Sequence, residues 1–340
     1  MLSEFLELSK FAGMRKDLVQ AGGGNCSVKL NSEEMLIKAS GFQLADLVKE
    51  KGYVKIRYKS IQNPFEIQDK YESLALENIK EEGTPKPSIE SYLHALTKRF
   101  TLHTHPTLVN VLTTRKEGLE ILKKLFPEAT VVEYEKPGVR LARLLKVQLE
   151  LSRGLRGPQI IFLKNHGLVI SSDNYLEVID QTSQILSIVA NYLKVDIRKY
   201  TQQTFLYENL KKLNLISSDQ ILYLCSDFEK LKYLGANWDL NLCPDCIVYC
   251  GRKIFEYKKT ISENNIEKFI ASYGYPTVIK FGDNFYIIAR NIKKAKEIEE
   301  VLFMTSEIAV LNKGIEVDYL TDKEQWSLLN WDAEKYRQNN

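Results

Sequence analysis

Two of the four histidines in this 340-residue chain, His103 and His105, stand one residue apart in the segment TLHTHPTLVN. The flanking run RFTLHTHP is typical of a strand, in which the side chains at positions i and i+2 point to the same face. Both imidazoles would then lie side by side, at a spacing that lets one cation bind both. The pair is equally compatible with a polar strand end that carries two unrelated histidines, so other residues must decide.

A third histidine and a carboxylate complete a candidate ligand set. His166 stands in KNHGL, at the break in the apolar run QIIFLKNHGLVI, where a turn glycine permits close backbone approach. Glu90 begins a predicted helix, and His94 follows it by four residues, which places the two side chains on one face. Three histidines (His103, His105 and His166) with Glu90 would form a mononuclear zinc site, although His166 alone is also compatible with a hydrogen-bonded turn residue.

Glycine-rich turns and a helix start could bind an anion. The segment AGGGN covers residues 21–25, and KASG provides Ser40 and Gly41. Backbone N–H groups in such turns can surround a phosphate, and Ser88 at a predicted helix start adds the helix dipole. The segment matches neither the P-loop pattern nor the dinucleotide fingerprint, so we expect no nucleotide site.

Length and composition restrict the class of protein. A chain of 340 residues can bury two cores, and 44% hydrophobic with 27% charged residues is typical of a soluble globular protein. The net charge of +3, without a basic stripe between aromatics, argues against a nucleic-acid partner. No apolar run approaches the roughly 18 residues of a membrane span. The N-terminal segment does not have the pattern of a signal peptide, and we expect a cytoplasmic protein with reduced thiols and no membrane partner.

Helical and strand-like patterns alternate over the first half and then change character near residue 215. We therefore predict two domains, 1–213 and 214–340, the second a smaller α+β domain of unknown role. The first domain is predicted to begin with a helix over 1–20, followed by strands in CSVKL, EMLIKAS and YVKIRY and a helix over 88–99 capped by Ser88. Next come the strand RFTLHTHP, a helix near 116–125, the strand TVVEY and a helix over 138–153. A strand pair broken at 165–167 and a long helical stretch over 174–213 complete the predicted domain.

Four of the five cysteines lie within the second half, at positions 225, 243, 246 and 250. Cys243 and Cys246 form a CxxC spacing, which suggests a structural metal site. Alternation in CIVYCG instead predicts a buried strand in which Cys246 and Cys250 are small hydrophobic residues. A redox pair is disfavoured, because no helix is predicted to begin after the motif. Whether the four cysteines bind a second metal stays open at this point.

The ordered motifs GGGN, KASG, KPSIE, HTHP, EYEKPG and KNHGL resemble those of the class II aldolase/adducin family, over roughly residues 5 to 210. The resemblance implies a three-layer α/β/α domain with a central, mostly antiparallel sheet. It further implies a Zn²⁺ cofactor, a small phosphorylated sugar as substrate and a homo-oligomer, specifically a homotetramer.

The same resemblance assigns roles to individual positions. His103, His105 and His166 correspond to the zinc ligands, and Glu90 to a further ligand or the catalytic acid/base. Tyr134 corresponds to a tyrosine that acts in some aldolases as a proton donor across a subunit interface. The residues that correspond to the phosphate site are Gly24, Asn25, Ser40, Gly41 and Ser88.

Two features depart from the family pattern. Ile89 stands where the phosphate aldolases often have a second serine, which removes one hydroxyl from the presumed phosphate site. The segments LCPDCIVYCG and WDAEKYR resemble the extension that follows the aldolase region in long rhamnulose-phosphate aldolase/dehydrogenase-type proteins, but the sequence contains no dinucleotide fingerprint.

The leading hypothesis is a class II, metal-dependent aldolase, a carbon–carbon lyase of carbohydrate metabolism. It would cleave or form a ketose 1-phosphate, from dihydroxyacetone phosphate and an aldehyde, through a metal-stabilised enediolate. One alternative is an epimerase, decarboxylase or dehydratase that acts on a sugar phosphate or sugar acid with the same site. A second is a non-catalytic, adducin-like scaffold, which retention of the three histidines and Glu90 disfavours. The identity of the sugar is outside what the sequence can determine.

Overall fold

The computed structural model describes residues 1–151, 157–234 and 241–330. The chain divides into two compact units, Met1–Tyr200 and Thr201–Asn340. This division falls earlier than the predicted domain boundary at 213, within a helix, so the boundary of an independently folding domain stays a prediction. The predicted segment WDAEKYR lies outside the described residues.

The first unit alternates helices with strands. Short 3₁₀ turns occupy much of the connection between the third strand and the second helix. The helices are α1 (Leu2–Gly13), α2 (Glu72–Glu77), α3 (Ser91–Ala95), α4 (Thr107–Thr113), α5 (Gly118–Leu125), α6 (Val139–Leu151) and α7 (Tyr175–Leu193), with α8 (Arg198–Lys212) crossing the division. The strands are β1 (Asn25–Lys29), β2 (Met35–Lys38), β3 (Tyr53–Ile56), β4 (Phe100–Thr104), β5 (Thr130–Val132), β6 (Gln159–Leu163) and β7 (Gly167–Ser172).

The strands of the first unit form one sheet, seven-stranded within the described ranges, in the order β3-β2-β1-β4-β7-β6-β5. Every neighbouring pair is antiparallel except β5 with β6. The two central strands, β1 and β4, are buried along nearly their whole length. The sheet therefore confirms the predicted mostly antiparallel arrangement, and its centre is the strand that carries His103.

Helices cover both faces of this sheet. Adjacent residues of β2 point to opposite sides, and each joins a different hydrophobic cluster. Leu36 packs in a cluster with Phe5 of α1, whereas Ile37 packs in a cluster with Tyr92 of α3. A strand that is buried on both faces needs apolar residues at consecutive positions, which explains the run MLIK. The predicted three-layer α/β/α architecture is confirmed.

Three predicted helices have different bounds. The first helix ends at Gly13 rather than near residue 20, and turns connect it to β1. The helix predicted over 88–99 is only Ser91–Ala95, with Glu90 rather than Ser88 at the N-cap position. The stretch over 174–213 is two helices, because Lys194 adopts a left-handed conformation with φ 57° and ends α7. The break at 165–167 is confirmed as the turn of the β6–β7 hairpin.

The second unit contains a smaller sheet in the order β8-β11-β10-β9, and this confirms the predicted α+β character. The β8–β11 and β11–β10 pairs are antiparallel, and β10–β9 is parallel. Its strands are β8 (Ile221–Leu224), β9 (Phe255–Glu256), β10 (Val278–Phe281) and β11 (Asn284–Ala289). Its helices after α8 are α9 (Phe228–Leu231), α10 (Pro244–Cys250), α11 (Glu263–Tyr273), α12 (Ile292–Leu311) and α13 (Asp322–Leu329).

One predicted strand of the second unit was wrong. CIVYCG belongs to α10, which begins directly after Cys243. Pro244 occupies the first helical turn, where its fixed φ suits a helix and its missing N–H costs nothing. The buried residues Cys246, Ile247 and Cys250 have helical spacing, whereas a strand would bury alternate residues.

Across the described residues, no helix is both long enough and apolar enough to cross a membrane.

Candidate metal centre

The centre of the large sheet positions the histidine pair. His103 lies on β4, where it pairs with Asn25 of β1 on one side and Val169 of β7 on the other. His105 follows the end of β4, and its backbone N–H donates to the carbonyl of Leu18 at 2.9 Å. Both imidazoles are thus anchored by backbone hydrogen bonds on or beside a buried strand.

The β6–β7 turn brings His166 to the pair. Asn165 adopts φ 53°, a left-handed conformation that asparagine tolerates, and the Asn110 side-chain amide donates to the His166 carbonyl at 3.1 Å. Gly167 allows the close approach, because a Cβ there would lie 2.3 Å from the carbonyl oxygen of Thr104. The turn motif KNHGL is therefore required sterically as well as for its histidine.

The three histidines converge through the same ring atom. Nε2 of His103 lies 3.0 Å from Nε2 of His105 and 3.3 Å from Nε2 of His166. One nitrogen from each ring falls within 4.8 Å of the others, a group that could hold a metal ion. The Nδ1–H of His103 donates to the carbonyl of Leu168 at 3.1 Å, so in the neutral ring, the form that binds a metal, the Nε2 lone pair faces the other rings. The donor set fits a divalent cation such as zinc.

Glu90 joins the histidines as the sequence predicted. Its Oε1 lies 3.3 Å from Nε2 of His103 and 3.1 Å from Nε2 of His166. Its Oε2 accepts a hydrogen bond of 2.5 Å from the Asn25 amide. The carboxylate is buried, and each of its oxygens therefore has a polar neighbour.

Charges within this cluster shift several pKa values. Burial raises the pKa of Glu90, but the charge on His103 and hydrogen bonds from His103 and His166 outweigh burial and hold it well below the ordinary value. Burial lowers the pKa of His103, yet Glu90 raises it above the ordinary value. Burial and the neighbouring histidines lower the pKa of His105 to about 3. In the metal-free cluster, Glu90 is an anion paired with His103.

His94 is near this cluster but does not belong to it. The residue is fully buried, its Nδ1 lies 2.7 Å from the Ser27 hydroxyl, and among the described residues its Nε2 has no hydrogen-bond partner. Burial, followed by the charge on His103, lowers its pKa to about 3. Glu90 is the N-cap of this helix and its carbonyl accepts from the His94 backbone N–H at 3.2 Å, and the shared helical face of the two side chains stays a prediction.

The predicted phosphate-binding residues come from three segments, which are the start of β1, the loop after β2 and the loop before α3. A bridge between Ala39 and Pro87 brings the exposed Ser40–Gly41 turn next to Ser88, which is buried. Gly24 is buried with φ 76°, where a Cβ would lie 2.7 Å from a methyl of Val19. The Asn25 amide, assigned to phosphate by resemblance, donates to Glu90 in this structure.

Lys38, the first residue of KASG, has a polar role that the sequence analysis missed. The side chain is buried, and its ammonium donates to the carbonyls of Phe42 at 2.8 Å and Gly22 at 3.3 Å. Burial lowers its pKa, whereas the negative charge of Glu90 raises it. The sequence feature that could have identified this role is a lysine in a short predicted strand next to a turn that contains glycine.

Tyr134 lies beyond the end of the edge strand of the large sheet. It follows β5, an edge strand three positions from β4 in the large sheet, a distance of about 14 Å at normal strand spacing. Its side chain is 62% exposed. Within the chain, β5 pairs with β6, and the end of β6 leads through Lys164 into the turn that carries His166.

Solved structures of several other proteins resemble this chain. The N-terminal class II aldolase domain of a conserved protein from Thermoplasma acidophilum is 27% identical, covering 56% of this chain and 92% of its own, with a TM-score of 0.49. An L-fuculose 1-phosphate aldolase is 21% identical over 56% of this chain and 83% of its own, with a TM-score of 0.40. YgbL from Escherichia coli, described as an aldolase/epimerase/decarboxylase, is 17% identical, covering 58% of this chain and 93% of its own, with a TM-score of 0.42.

A search of curated protein sequences found no match. A sequence model of the class II aldolase and adducin N-terminal domain matches residues 3–192, which is more than half of the chain and includes the histidine cluster, Glu90 and Tyr134. The chain belongs to the class II aldolase/adducin family.

Proposed function

We propose that this protein is a zinc-dependent aldolase that cleaves or forms a ketose 1-phosphate. The observation that carries the proposal is the convergence of three histidine Nε2 atoms and one Glu90 oxygen at a single point. A non-catalytic scaffold of this family has no need to bury an anionic carboxylate against three imidazoles, because burial of a charge is costly without a function. Family membership independently supports an enzyme of this kind.

His103, His105 and His166 would hold the zinc ion, with Glu90 as a further ligand before substrate binds. Zinc, when bound, supplies a Lewis acid that withdraws charge from the substrate carbonyl. Three protein ligands are the usual number at a catalytic zinc site, because they leave a coordination position for substrate.

Glu90 is proposed to move the proton at the reacting carbon. In the addition direction its carboxylate removes a proton from the hydroxymethyl carbon of dihydroxyacetone phosphate, which leaves an enediolate. In the cleavage direction the same carboxyl group returns a proton to that carbon after the C3–C4 bond has broken. The position of Glu90 supports this role, because Asn25 holds one carboxylate oxygen and the other faces the proposed metal ligands.

The substrate phosphate is proposed to bind at the Ser40–Gly41 turn, with Gly24 and Ser88 beside it. Lys38 adds a buried positive charge behind this turn. Asn25 is proposed to contribute to phosphate binding less directly, because its side-chain amide donates to the carboxylate of Glu90. A phosphate there would be bound mainly by backbone N–H groups and hydroxyls, with the ammonium as a nearby charge.

Tyr134 is proposed to act from a second chain, in a homotetramer. It would donate a proton to the aldehyde oxygen during addition and take that proton back during cleavage. Its exposure supports this arrangement, because an exposed tyrosine is available to a partner. The C3–C4 bond then has a proton-transfer group on each side.

A second candidate is epimerisation, decarboxylation or dehydration of a sugar phosphate or sugar acid at the same site. Ile89 favours it, because this apolar side chain packs against a hydrophobic cluster and stands where the phosphate aldolases often have a serine hydroxyl. A site that binds phosphate less tightly would suit a substrate whose anionic group is a carboxylate. The two candidates differ in one measurable property. Only the aldolase is expected to exchange a carbon-bound proton of dihydroxyacetone phosphate with solvent when no second substrate is present.

The deciding experiment compares wild-type protein with Glu90→Gln. We expect about one zinc per chain in both, since the amide keeps the size of the side chain and the histidines are unchanged. Wild-type protein should exchange a carbon-bound proton of dihydroxyacetone phosphate with solvent deuterium, measured by NMR. The variant should lose this exchange by about 10²- to 10⁴-fold, the usual contribution of a positioned proton-transfer group. A screen of ketose 1-phosphates for aldehyde release then identifies the sugar.

Each contrary result has one meaning. Metal-free wild-type protein would contradict the metal site. Absence of exchange in zinc-loaded wild-type protein would remove the aldolase reaction and favour the second candidate. Unchanged exchange in Glu90→Gln would show that another group is the base, and loss of zinc in this variant would make Glu90 chiefly a ligand.

A further inference from the structure

A pair of thiols lies in the second unit, outside the family domain. Sγ of Cys243 is 3.2 Å from Sγ of Cys246, and the described structure has both cysteines as free thiols. Cys243 immediately precedes α10 and is partly exposed, whereas Cys246 lies in the first turn of this helix and is fully buried. One sulfur is therefore accessible from solvent, and the other is in contact with it from the protein side.

The surroundings of Cys246 direct its sulfur toward Cys243. The Thr305 hydroxyl of α12 lies 3.1 Å from Sγ of Cys246 and donates its own hydrogen to the carbonyl of Val301 at 2.8 Å. Because the hydroxyl hydrogen is already used, Thr305 accepts from the Cys246 thiol. This contact holds Cys246 in place while its sulfur lone pairs face Cys243.

A metal site does not explain this pair. Zinc bound by protein needs three or four ligands, and the described residues contain no group of three metal-binding side chains at this position. Cys250, the next cysteine along the helix, is also fully buried, and its Sγ lies 3.8 Å from the carbonyl of Ile298. Its sulfur is thus engaged elsewhere, so the third thiol does not complete a ligand set.

We propose that Cys243 and Cys246 form a dithiol–disulfide site that exchanges with low-molecular-weight disulfides. The Cys243 thiolate attacks one sulfur of the small disulfide, which forms a mixed disulfide and releases one small thiolate. The Cys246 thiol then gives its proton to the released small thiolate and attacks Sγ of Cys243, which closes the intramolecular bond and releases the second thiolate. The two cysteines lose two electrons and two protons, and the small disulfide is reduced to two thiols.

The thiol environments support this order of attack. Burial raises the pKa of Cys246 to about 11, so at neutral pH this residue is a protonated, inaccessible thiol. Burial raises the pKa of Cys250 well above the ordinary value. An initial attack requires an accessible thiolate, which leaves Cys243 as the first nucleophile and Cys246 as the residue that resolves the mixed disulfide.

The test equilibrates the full-length protein in glutathione buffers of increasing oxidised fraction, quenches with acid, alkylates the remaining thiols and measures intact mass. Wild-type protein should lose two hydrogens and retain no glutathione. Cys246→Ala should retain one glutathione, because its mixed disulfide cannot be resolved. Cys243→Ala should form no disulfide and retain no glutathione. Cys250→Ala and Cys225→Ala are matched controls that should behave as wild type.

Peptide mapping of oxidised wild-type protein tests the connectivity without any variant, in case Cys246→Ala does not fold. Chymotryptic cleavage after Tyr249 separates Cys250 from the pair. The proposed bond keeps both sulfurs within one peptide, whereas a bond to Cys250 joins two peptides. The proposal is overturned if the cysteines stay fully alkylatable in buffer dominated by oxidised glutathione, if the bond includes Cys250, or if folded Cys246→Ala acquires no glutathione.

Discussion

The Asn25 amide donates a 2.5 Å hydrogen bond to Oε2 of Glu90, while Oε1 of the same carboxylate lies 3.1 Å from Nε2 of His166. The hydrogen bond holds one oxygen of Glu90 and directs the other at the imidazoles. Asn25 can do this because it pairs with His103 in the register of β1 and β4. The residue therefore positions the proposed base, in addition to any contact with substrate.

Substitution of Asn25 separates a positioning role from a phosphate-binding role. Asn25→Ala removes the donor to Glu90, and we expect turnover in the dihydroxyacetone phosphate exchange to fall roughly 10- to 100-fold with little change in KM. Ser40→Ala removes a hydroxyl from the proposed phosphate turn and should chiefly raise KM. Steady-state exchange measured by NMR gives both constants. An Asn25→Ala effect confined to KM would return this residue to the phosphate site alone.

Removal of a central imidazole should abolish metal binding. His103→Ala deletes the ring that lies closest to both other histidines, and we expect zinc affinity to fall by more than about 100-fold, measured by competition with a chromophoric chelator. Tyr134→Phe is the matched control, since its exposed side chain is not one of the proposed zinc ligands, and it should retain full zinc. Full zinc occupancy of His103→Ala would contradict the assignment of the ligands.

The pH dependence of zinc affinity in wild-type protein should follow from the same ring. Glu90 raises the pKa of His103 in the metal-free cluster, so protons compete with the metal at higher pH than at an ordinary histidine. Zinc affinity is therefore highest above the raised pKa of His103. It falls as pH decreases through this pKa, by up to about tenfold per pH unit.

Gly167 should be required for both stability and metal binding. In Gly167→Ala the new methyl would lie 2.3 Å from the Thr104 carbonyl oxygen, so the β6–β7 turn and His166 must move. We expect the free energy of unfolding in urea to fall by roughly 1–3 kcal/mol, together with zinc affinity. Gly22→Ala is the control, because a Cβ there has nothing within 4 Å. Equal stability of the two variants would show that the turn tolerates a side chain.

Local spacing identified the three histidines that come together in the structure, but by itself it was equally compatible with unrelated polar residues. Longer-range relationships could not be predicted in the same way. The hydrogen bond from Asn25 to Glu90 joins residues 65 positions apart and depends on strand register. The partners of Lys38, two backbone carbonyls in separate loops, depend on how those loops fold over the sheet.

The CxxC segment shows how a local pattern can mislead. Alternation of Cys246, Val248 and Cys250 predicted a strand, but Pro244 and Asp245 before them are typical of a helix start, and the helix prevailed. Spacing of four residues between Cys246 and Cys250 fits both periods, so the flanking residues were the better signal. The redox interpretation was disfavoured on the absence of a helix after the motif, and that premise was wrong.

The proposal that Tyr134 acts in trans predicts complementation between inactive subunits. Glu90→Gln and Tyr134→Phe, each of low activity alone, should regain activity when co-expressed with different affinity tags and purified as hetero-oligomers. A site that takes Glu90 from one chain and Tyr134 from its neighbour is intact when the first chain is Tyr134→Phe and the second is Glu90→Gln. Random assortment gives this combination at about a quarter of the sites.

The measured quantity is aldol addition of dihydroxyacetone phosphate to a short aldehyde, per zinc bound. The matched control co-expresses Glu90→Gln with the double variant Glu90→Gln/Tyr134→Phe, which contains no intact Glu90 and should stay inactive. If Tyr134 acted within its own chain, every site of the first mixture would lack one of the two groups, and no recovery would occur. A monomer in light scattering would exclude the arrangement as well, because a single chain has no neighbour that could supply Tyr134.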